Sequence, residues 1–292
     1  MQKITKVVIP AAGFGTRFLP ATKANPKEML PIVDKPVIQY AAEEAVAAGI
    51  KDIIFIIGRN KQSIEDHFDK AYELEAELAA KQKTLLIDSV QAIVPSFVNC
   101  IFIRQPTALG LGHAIHCARP VISNEPFAII LPDDLIDSDS CGCLSQMMDI
   151  YNQTGKSVLA VERVKGPEIS KYGVIEIENF EDRLGKIKTI VEKPPFESAP
   201  SDLGVVGRYI LSYKVMEILG RLPPGSGGEI QLTDGISELL KLEDINAFEF
   251  YGTRFDCGSK LGFLKDDADK LVGNFSGGWQ MKVALGKIIL QK

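Results

Sequence analysis

Four short apolar runs, Val7–Ile9, Ile53–Ile57, Ile101–Ile103 and Phe127–Leu131, recur through the first half of the chain and limit what it can fold into. They are continuous rather than alternating, so strands made from them must be covered on both faces, as in a mostly parallel sheet with helices on either side. The stretches between them read as helices over Val37–Ala48, Lys61–Lys81 and Gly112–Ala118. Gly49 follows the first and suits a helix C-terminus. Strand–helix–strand alternation predicts an α/β fold, a three-layer α/β/α sandwich around a mixed, mostly parallel central sheet.

The pattern loosens from about Ser157. Val158–Val161, Val174–Ile177, Ile187–Val191, Val205–Ile210 and Phe248–Tyr251 read as strands, several separated by turn signals rather than helices. This predicts a smaller antiparallel extension of the first sheet. Helices are expected at Tyr213–Gly220, Glu229–Leu242, Lys260–Leu271 and Gly278–Leu290, the last containing the one tryptophan, Trp279. Pro194–Pro200 (PPFESAP) is the most loop-like stretch. At ~150 residues per domain, 292 residues suggest about two domains. The lack of a repeat or low-complexity linker favours one unit instead, with halves at about 1–155 and 156–258 and terminal helices over about 259–292.

The formal charge is −5, from 33 basic and 38 acidic residues. That balance argues against nucleic acid or an anionic membrane as partner, both of which want a basic face, but leaves room for a small anionic substrate. No apolar run reaches the ~20 residues of a membrane span. The N-terminal apolar stretch is too short for a signal sequence, so a cytoplasmic protein is expected. Five cysteines, an odd number without framework spacing, fit a reducing compartment. Cys141 and Cys143 form a C-x-C pair with no further ligands at zinc spacing, and read as buried or incidental thiols.

Behind Val7–Ile9 comes AAGFGTRFLPATKANPKEMLPIVDKP. A Gly-rich turn directly after a first strand is where α/β proteins hold phosphates. The Walker A spacing is missing. Gly13 and Gly15 begin a G-x-G-x-x-G, but Phe18 stands at its third glycine. Asp34, at about the right count for a ribose-binding acid, does not end a second strand. Pro20, Pro26, Pro31 and Pro36 forbid a helix close behind the glycines. The expectation is therefore a long, extended loop, locally positive through Arg17, Lys23, Lys27 and Lys35 against Glu28 and Asp34. Gly13 and Gly15 let backbone N–H groups approach a polyanion, with Arg17 as a planar fork and Lys27 as a mobile charge.

Other residues of interest sit at strand ends. Pro132-Asp133-Asp134 follows Phe127–Leu131, where hard carboxylate oxygens suit Mg²⁺ completed by substrate phosphates. Residue type does not choose between Asp133 and Asp134. Asp256 is a possible second ligand, or a cap for the helix expected from Lys260. Gln105 and the amides after it can pair with a pyrimidine edge. Lys193, set by Pro194, can hold a phosphate or be a solvated surface charge. His113 and His116, three apart on one helix, could share a face; packing is the commoner fate.

G-F-G-T-R-F-L-P-A-T-K-A-N-P-K-E-M-L-P resembles the signature of bacterial UTP–glucose-1-phosphate uridylyltransferases, within the sugar-phosphate nucleotidyltransferases. Q-P-T-A-L-G-L-G-H-A, L-P-D-D, K-Y-G-V-I, V-E-K-P, G-E-I-Q-L-T-D and F-D-C-G-S-K-L-G resemble further family blocks, in family order. The resemblance implies a Rossmann-like fold of the nucleotide-diphospho-sugar transferase type, with a nucleotide-binding half and a sugar-phosphate-binding half. It implies that Ala11, Ala12, Gly13, Gly15, Thr16, Glu28, Gln105, Gly110 and Asp133 bind the nucleotide. Gly173, Glu192 and Lys193 would bind the sugar phosphate, Asp133 and Asp256 would hold Mg²⁺, and Arg17, Lys27 and Lys193 would act in catalysis. Family members are often homodimers or homotetramers.

The activity so implied is UTP plus α-D-glucose 1-phosphate giving UDP-glucose and pyrophosphate. Three rivals stand beside it. A glucose-1-phosphate thymidylyltransferase would more usually end the loop K-Q-L-L-P, where this chain has Lys27-Glu28-Met29-Leu30-Pro31. A non-catalytic nucleotide-sugar binder has no need to keep Arg17, Lys27, Asp133, Lys193 and Asp256 together. An NAD-dependent oxidoreductase is disfavoured by Phe18 and the prolines.

Overall fold

The computed structural model describes residues 2–259 apart from 33, 139 and 140. The helices expected at Lys260–Leu271 and Gly278–Leu290, with Trp279, lie outside the described residues.

In chain order the strands are β1 (Lys6–Ala11), β2 (Pro31–Ile32), β3 (Lys35–Pro36), β4 (Asp52–Ile57), β5 (Asn99–Arg104), β6 (Phe127–Ile130) and β7 (Asp134–Asp137). The second half adds β8 (Ser157–Arg163), β9 (Gly173–Glu181), β10 (Leu184–Glu192), β11 (Leu203–Leu211), β12 (Ile245–Glu249) and β13 (Thr253–Asp256). Nine form one sheet in the order β5-β4-β1-β6-β11-β8-β12-β10-β9. Parallel pairing joins β5, β4, β1 and β6, and separately β8 and β12. Only β10 and β11 run against the rest. The mixed sheet with an antiparallel extension is thus as expected, and β11 joins the two parallel parts.

The continuous apolar runs have the predicted cause. Along β4, Ile53, Phe55 and Ile57 enter one core while Ile54 and Ile56 enter the other. β1 divides the same way, with Val7 and Ile9 opposite Val8. The first core is completed by α1 (Val37–Ala47), α2 (Gln62–Phe68) and α7 (Cys143–Thr154). The second is completed by α5 (Leu111–His116), α8 (Lys214–Leu219) and α9 (Leu232–Leu239). Two helical layers therefore sandwich the sheet. Of the remaining helices, α3 (Tyr72–Ala80) and α4 (Thr84–Gln91) are peripheral and bury no residue, while the short α6 (Arg119–Ile122) adds Ile122 to the second core.

Several boundaries differ from expectation. The helix read over Lys61–Lys81 is two, because Asp69 is extended and its Oδ1 accepts from Lys70 N–H at 2.7 Å, drawing the backbone out of the helix. Tertiary pairing overrides the helix start read at Glu229: Ile230 N–H donates to Leu109 O and Gly112 N–H donates to Ile230 O, both at 2.8 Å. Residues 229–231 are held extended, and α9 begins at Leu232. The strand read at Phe248–Tyr251 ends at Glu249, and a separate strand, β13, pairs antiparallel with β7. The helix α7 went unread, although Leu144, Met147, Met148 and Tyr151 carry a helical period into the core.

Candidate active site

The glycine-rich loop leaves the C-terminal end of β1 and is coiled rather than extended. It forms three 3₁₀ turns, Thr16–Phe18, Ala21–Lys23 and Lys27–Met29. Prolines that forbid an α-helix still accept through their carbonyls: Lys23 N–H donates to Pro20 O and Met29 N–H to Pro26 O, each at 3.0 Å. Gly15 takes φ 65°, a left-handed conformation open to glycine, and Thr22 Oγ1 donates to its carbonyl at 2.7 Å. Ala11 ends the strand buried, Ala12 packs its carbonyl against Gly58, and the space beside Gly13 is open.

Coiling decides which cations stay with the site. Lys35, counted among the positive residues of the loop, turns to Glu43 at 2.9 Å on α1. Asp34 is exposed between β2 and β3. Lys27 Nζ sits 2.6 Å from Asp133 Oδ2, and Arg17 Nη1 lies 3.5 Å from Gly258 O. Burial alone would lower the Lys27 pKa, but the charges of Asp133 and Glu28 outweigh it and hold the ammonium above the ordinary value. Burial likewise works to raise Asp133, and the Lys27 charge and hydrogen bond overcome it, so its pKa is lowered.

The adjacent acids have separate jobs. Asp134 is buried: its Oδ1 accepts from Arg254 Nε at 2.8 Å and Nη2 at 2.5 Å, and its Oδ2 accepts from Gly207 N–H at 2.9 Å. It is committed to the scaffold. Asp133 lies in the turn between β6 and β7, and Cys257 N–H donates to its carbonyl at 2.7 Å, drawing the end of β13 against it. A Cβ added at Gly258 would meet Asp256 Oδ1 at 3.0 Å and Asp133 Oδ2 at 3.1 Å. The two carboxylates therefore converge on one small space. A pair of hard oxygens fits a divalent cation such as Mg²⁺ that takes its other ligands from substrate phosphate and water. Among the described residues no group of three or more His, Cys, Asp or Glu forms a metal cage.

Asp133 is positioned by a buried relay. Glu44 on α1 accepts the Leu144 N–H at the start of α7 at 3.0 Å, and pairs with Arg208 Nη2 at 2.7 Å. Arg208, 1% exposed, also donates to Leu131 O at 3.3 Å, Gly207 O at 3.1 Å and Asp134 O at 2.8 Å. The backbone around the Asp133 turn is thus held from inside the protein.

The second cluster forms where β9 and β10 end. Gly173 opens β9 opposite Glu192, which closes β10. Glu192 Oε2 accepts from Thr233 Oγ1 at 2.7 Å, and Lys193 Nζ lies 2.8 Å from Glu192 Oε1. Lys193 has φ 43°, and its N–H donates to Tyr172 O at 2.9 Å. The Tyr172 hydroxyl accepts from Arg254 Nη1 at 2.8 Å, tying this cluster to Asp134. The buried Tyr209 hydroxyl has its pKa raised by burial and then by the charges of Asp134, Glu192 and Asp133.

The third part lies at the ends of β4 and β5. Glu28 is 2% exposed, its Oε2 accepts from Lys61 Nζ at 2.7 Å, and its buried Oε1 has no partner. Gln105 N–H donates to Ile57 O at 2.8 Å, and the Gln105 side chain donates to Gly110 O at 3.2 Å. Lys61, Thr233, Arg208 and Arg254 were not singled out in the sequence. Thr233 and Arg254 lay inside or beside the family-like blocks, whereas Lys61 and Arg208 gave no local signal. His116, read as packing, donates from Nδ1 to Met216 O at 2.9 Å, since a carbonyl oxygen only accepts.

The family model described as Nucleotidyl transferase matches residues 6–271. The chain belongs to the nucleotidyl transferase family. It is 49% identical over 264 residues to a UTP–glucose-1-phosphate uridylyltransferase of Bacillus subtilis (strain 168), covering 90% of each chain. Its fold matches a crystal structure of UDP-glucose pyrophosphorylase complexed with UDP-glucose, with TM-score 0.81, 47% identity, and 89% and 95% of the two chains covered. It also matches a UTP-bound UGPase from Acinetobacter baumannii, with TM-score 0.87, 42% identity, and 98% and 99% covered. In this nucleotidyl transferase the residues named from the sequence gather at the C-terminal edge of the sheet around β1, β5 and β6 and at the β9–β10 ends.

Proposed function

We propose that the chain is a UTP–glucose-1-phosphate uridylyltransferase, making UDP-glucose and pyrophosphate from UTP and α-D-glucose 1-phosphate. The observation that carries this reading is the 49% identity to such an enzyme across 90% of both chains, and the convergence of Lys27, Asp133 and Asp256 gives it a chemical basis.

A phosphate oxygen of glucose 1-phosphate attacks the α-phosphorus of UTP in line. The new P–O bond forms as the bond to the β-phosphate oxygen breaks and pyrophosphate leaves. The nucleophile is already ionised near neutrality, so no general base is needed. The difficulty is to align two anions against their repulsion. Gly13, Gly15 and Thr16 offer backbone N–H groups to the triphosphate, with Ala11 and Ala12 against the nucleoside. Arg17 and Lys27 supply positive charge there, and Lys193 holds the sugar phosphate. Glu192, oriented by Thr233, and Gly173 take sugar hydroxyls. The unpartnered Glu28 Oε1 accepts a nucleoside donor, and Gln105 and Gly110 face the base. Asp133 and Asp256 would hold Mg²⁺, which when bound neutralises phosphate charge.

The chain works as a single catalytic unit of two substrate-binding halves, in the cytoplasm, and as a homodimer or homotetramer. Among the described residues no helix is long and apolar enough to cross a membrane. Pyrophosphate release with glucose 1-phosphate, measured across UTP, dTTP and the other triphosphates, tests the reading. Fastest turnover with UTP is expected. Preference for dTTP would make it a thymidylyltransferase, and binding without turnover would make it a sensor.

A further inference from the structure

The loop behind β5 holds a pairing that the uridylyl-transfer reading leaves unused. Gln105 is 7% exposed, and its Nε2 lies 3.2 Å from Gly110 O and 2.9 Å from His113 Nδ1. A peptide carbonyl only accepts, so Gly110 O determines which end of the amide is nitrogen. Both amide hydrogens are then committed to the loop, one of them to His113. His113 Nδ1 must carry a lone pair, which puts the imidazole proton on Nε2. Oε1 remains as the end of Gln105 with no hydrogen bond among the described residues.

We propose that His113 is a positioning residue for base choice: by accepting from Gln105 Nε2 it holds Oε1 as an obligatory acceptor toward the nucleotide. Such a site takes bases with a ring N–H at that edge, uracil, thymine and guanine. It turns away cytosine and adenine, whose bare ring nitrogen would set acceptor against acceptor. Without the histidine acceptor only the longer contact to Gly110 O, at 3.2 Å, holds the amide against rotation about its soft terminal torsion, and the flipped amide, presenting a donor, becomes accessible. The inference rests on the proposed function only in placing a nucleotide against this loop.

The test compares His113→Leu, His113→Asn and His113→Gln with the wild type. Asn carries its carbonyl near the place of Nδ1, and Gln carries its own near the place of Nε2. For His113→Leu and His113→Gln, the ratio of kcat/KM for UTP over CTP should fall about tenfold, the scale of one directional hydrogen bond in base discrimination. The change should lie in the nucleotide KM, with the KM for glucose 1-phosphate unchanged, and His113→Asn should keep the wild-type ratio. Calorimetric binding of UTP and CTP gives the same comparison without turnover. An inactive wild type that still binds UTP over CTP would therefore overturn the proposed function alone. If Asn and Gln variants behave alike, or the UTP-to-CTP ratio in folded His113→Leu stays within twofold of wild type, the His113 assignment is wrong.

Discussion

Asp133 and Asp134 are chemically identical neighbours in opposite surroundings, because Arg254 and Gly207 consume both oxygens of Asp134 while Asp133 faces Lys27 and the space by Gly258. Asp133→Ala should abolish pyrophosphate release at every Mg²⁺ concentration; a folded variant that keeps its turnover at ordinary Mg²⁺ would refute the metal site. Lys193→Ala should raise the KM for glucose 1-phosphate far more than that for UTP, and equal damage to both would remove it from the sugar-phosphate site. His113 carries its own pH signature. Burial, then the charge of His116, lowers its pKa below the ordinary 6.5. The unfolded chain then takes up the proton first, so any stability cost appears only as pH falls below that value. Above it His113 is a neutral acceptor in the fold, and the UTP-to-CTP ratio should be flat from pH 8 to about 6.5 and fall only at lower pH. A ratio that changes steadily through pH 7–8 would point to another group.

At the scale of elements, ends matter more than middles. The N-terminus of α7 finds its acceptor in Glu44, and the Glu44 charge is matched by Arg208 from β11. Removing the guanidinium leaves the Glu44 carboxylate without its opposite charge and takes one donor from each of three carbonyls, of which Leu131 O and Gly207 O keep a backbone N–H. Arg208→Leu should therefore cost about 3 kcal/mol or more in urea unfolding, the scale for breaking a buried pair from one side. A loss under ~1 kcal/mol would mean that the relay is not structural. The start of α9 and the segment before it brace both proposed substrate sites, since Ile230 pairs with Leu109 and Gly112 while Thr233 orients Glu192. Thr233→Val keeps the shape and removes the donor. Several-fold weaker use of glucose 1-phosphate with unchanged UTP affinity is expected, and steady-state kinetics in both substrates separates the two.

Over the whole molecule, the halves share one sheet. β11 hydrogen-bonds to β6 of the first half and β8 of the second, and Arg254 links Asp134 to Glu162 and Tyr172. One core lines each face of that sheet across both halves. A single cooperative unfolding transition, coincident by far-UV circular dichroism and by loss of turnover, is the expected result. Two separated transitions would restore the two-domain estimate that length alone suggests.

The local pattern was enough to determine the α/β sandwich, because strands buried on both faces must be apolar at every position, and that is readable within five residues. It also determined that no α-helix could follow the glycines, since proline restricts its own neighbours, but not that the loop would coil into 3₁₀ turns. The ordered family-like blocks named the residues that collect at the sheet edge. Partner choice was decided only in three dimensions. Asp134 meets an arginine 120 positions away, Glu28 meets Lys61 across 33, and Lys35 leaves the loop for Glu43. Nothing local marks such pairs, because the energy of a buried charge depends on which opposite charge the fold brings within hydrogen-bonding distance. For the same reason His113, one unremarkable histidine on a helix, becomes the partner of Gln105 only once β5 and α5 are folded together.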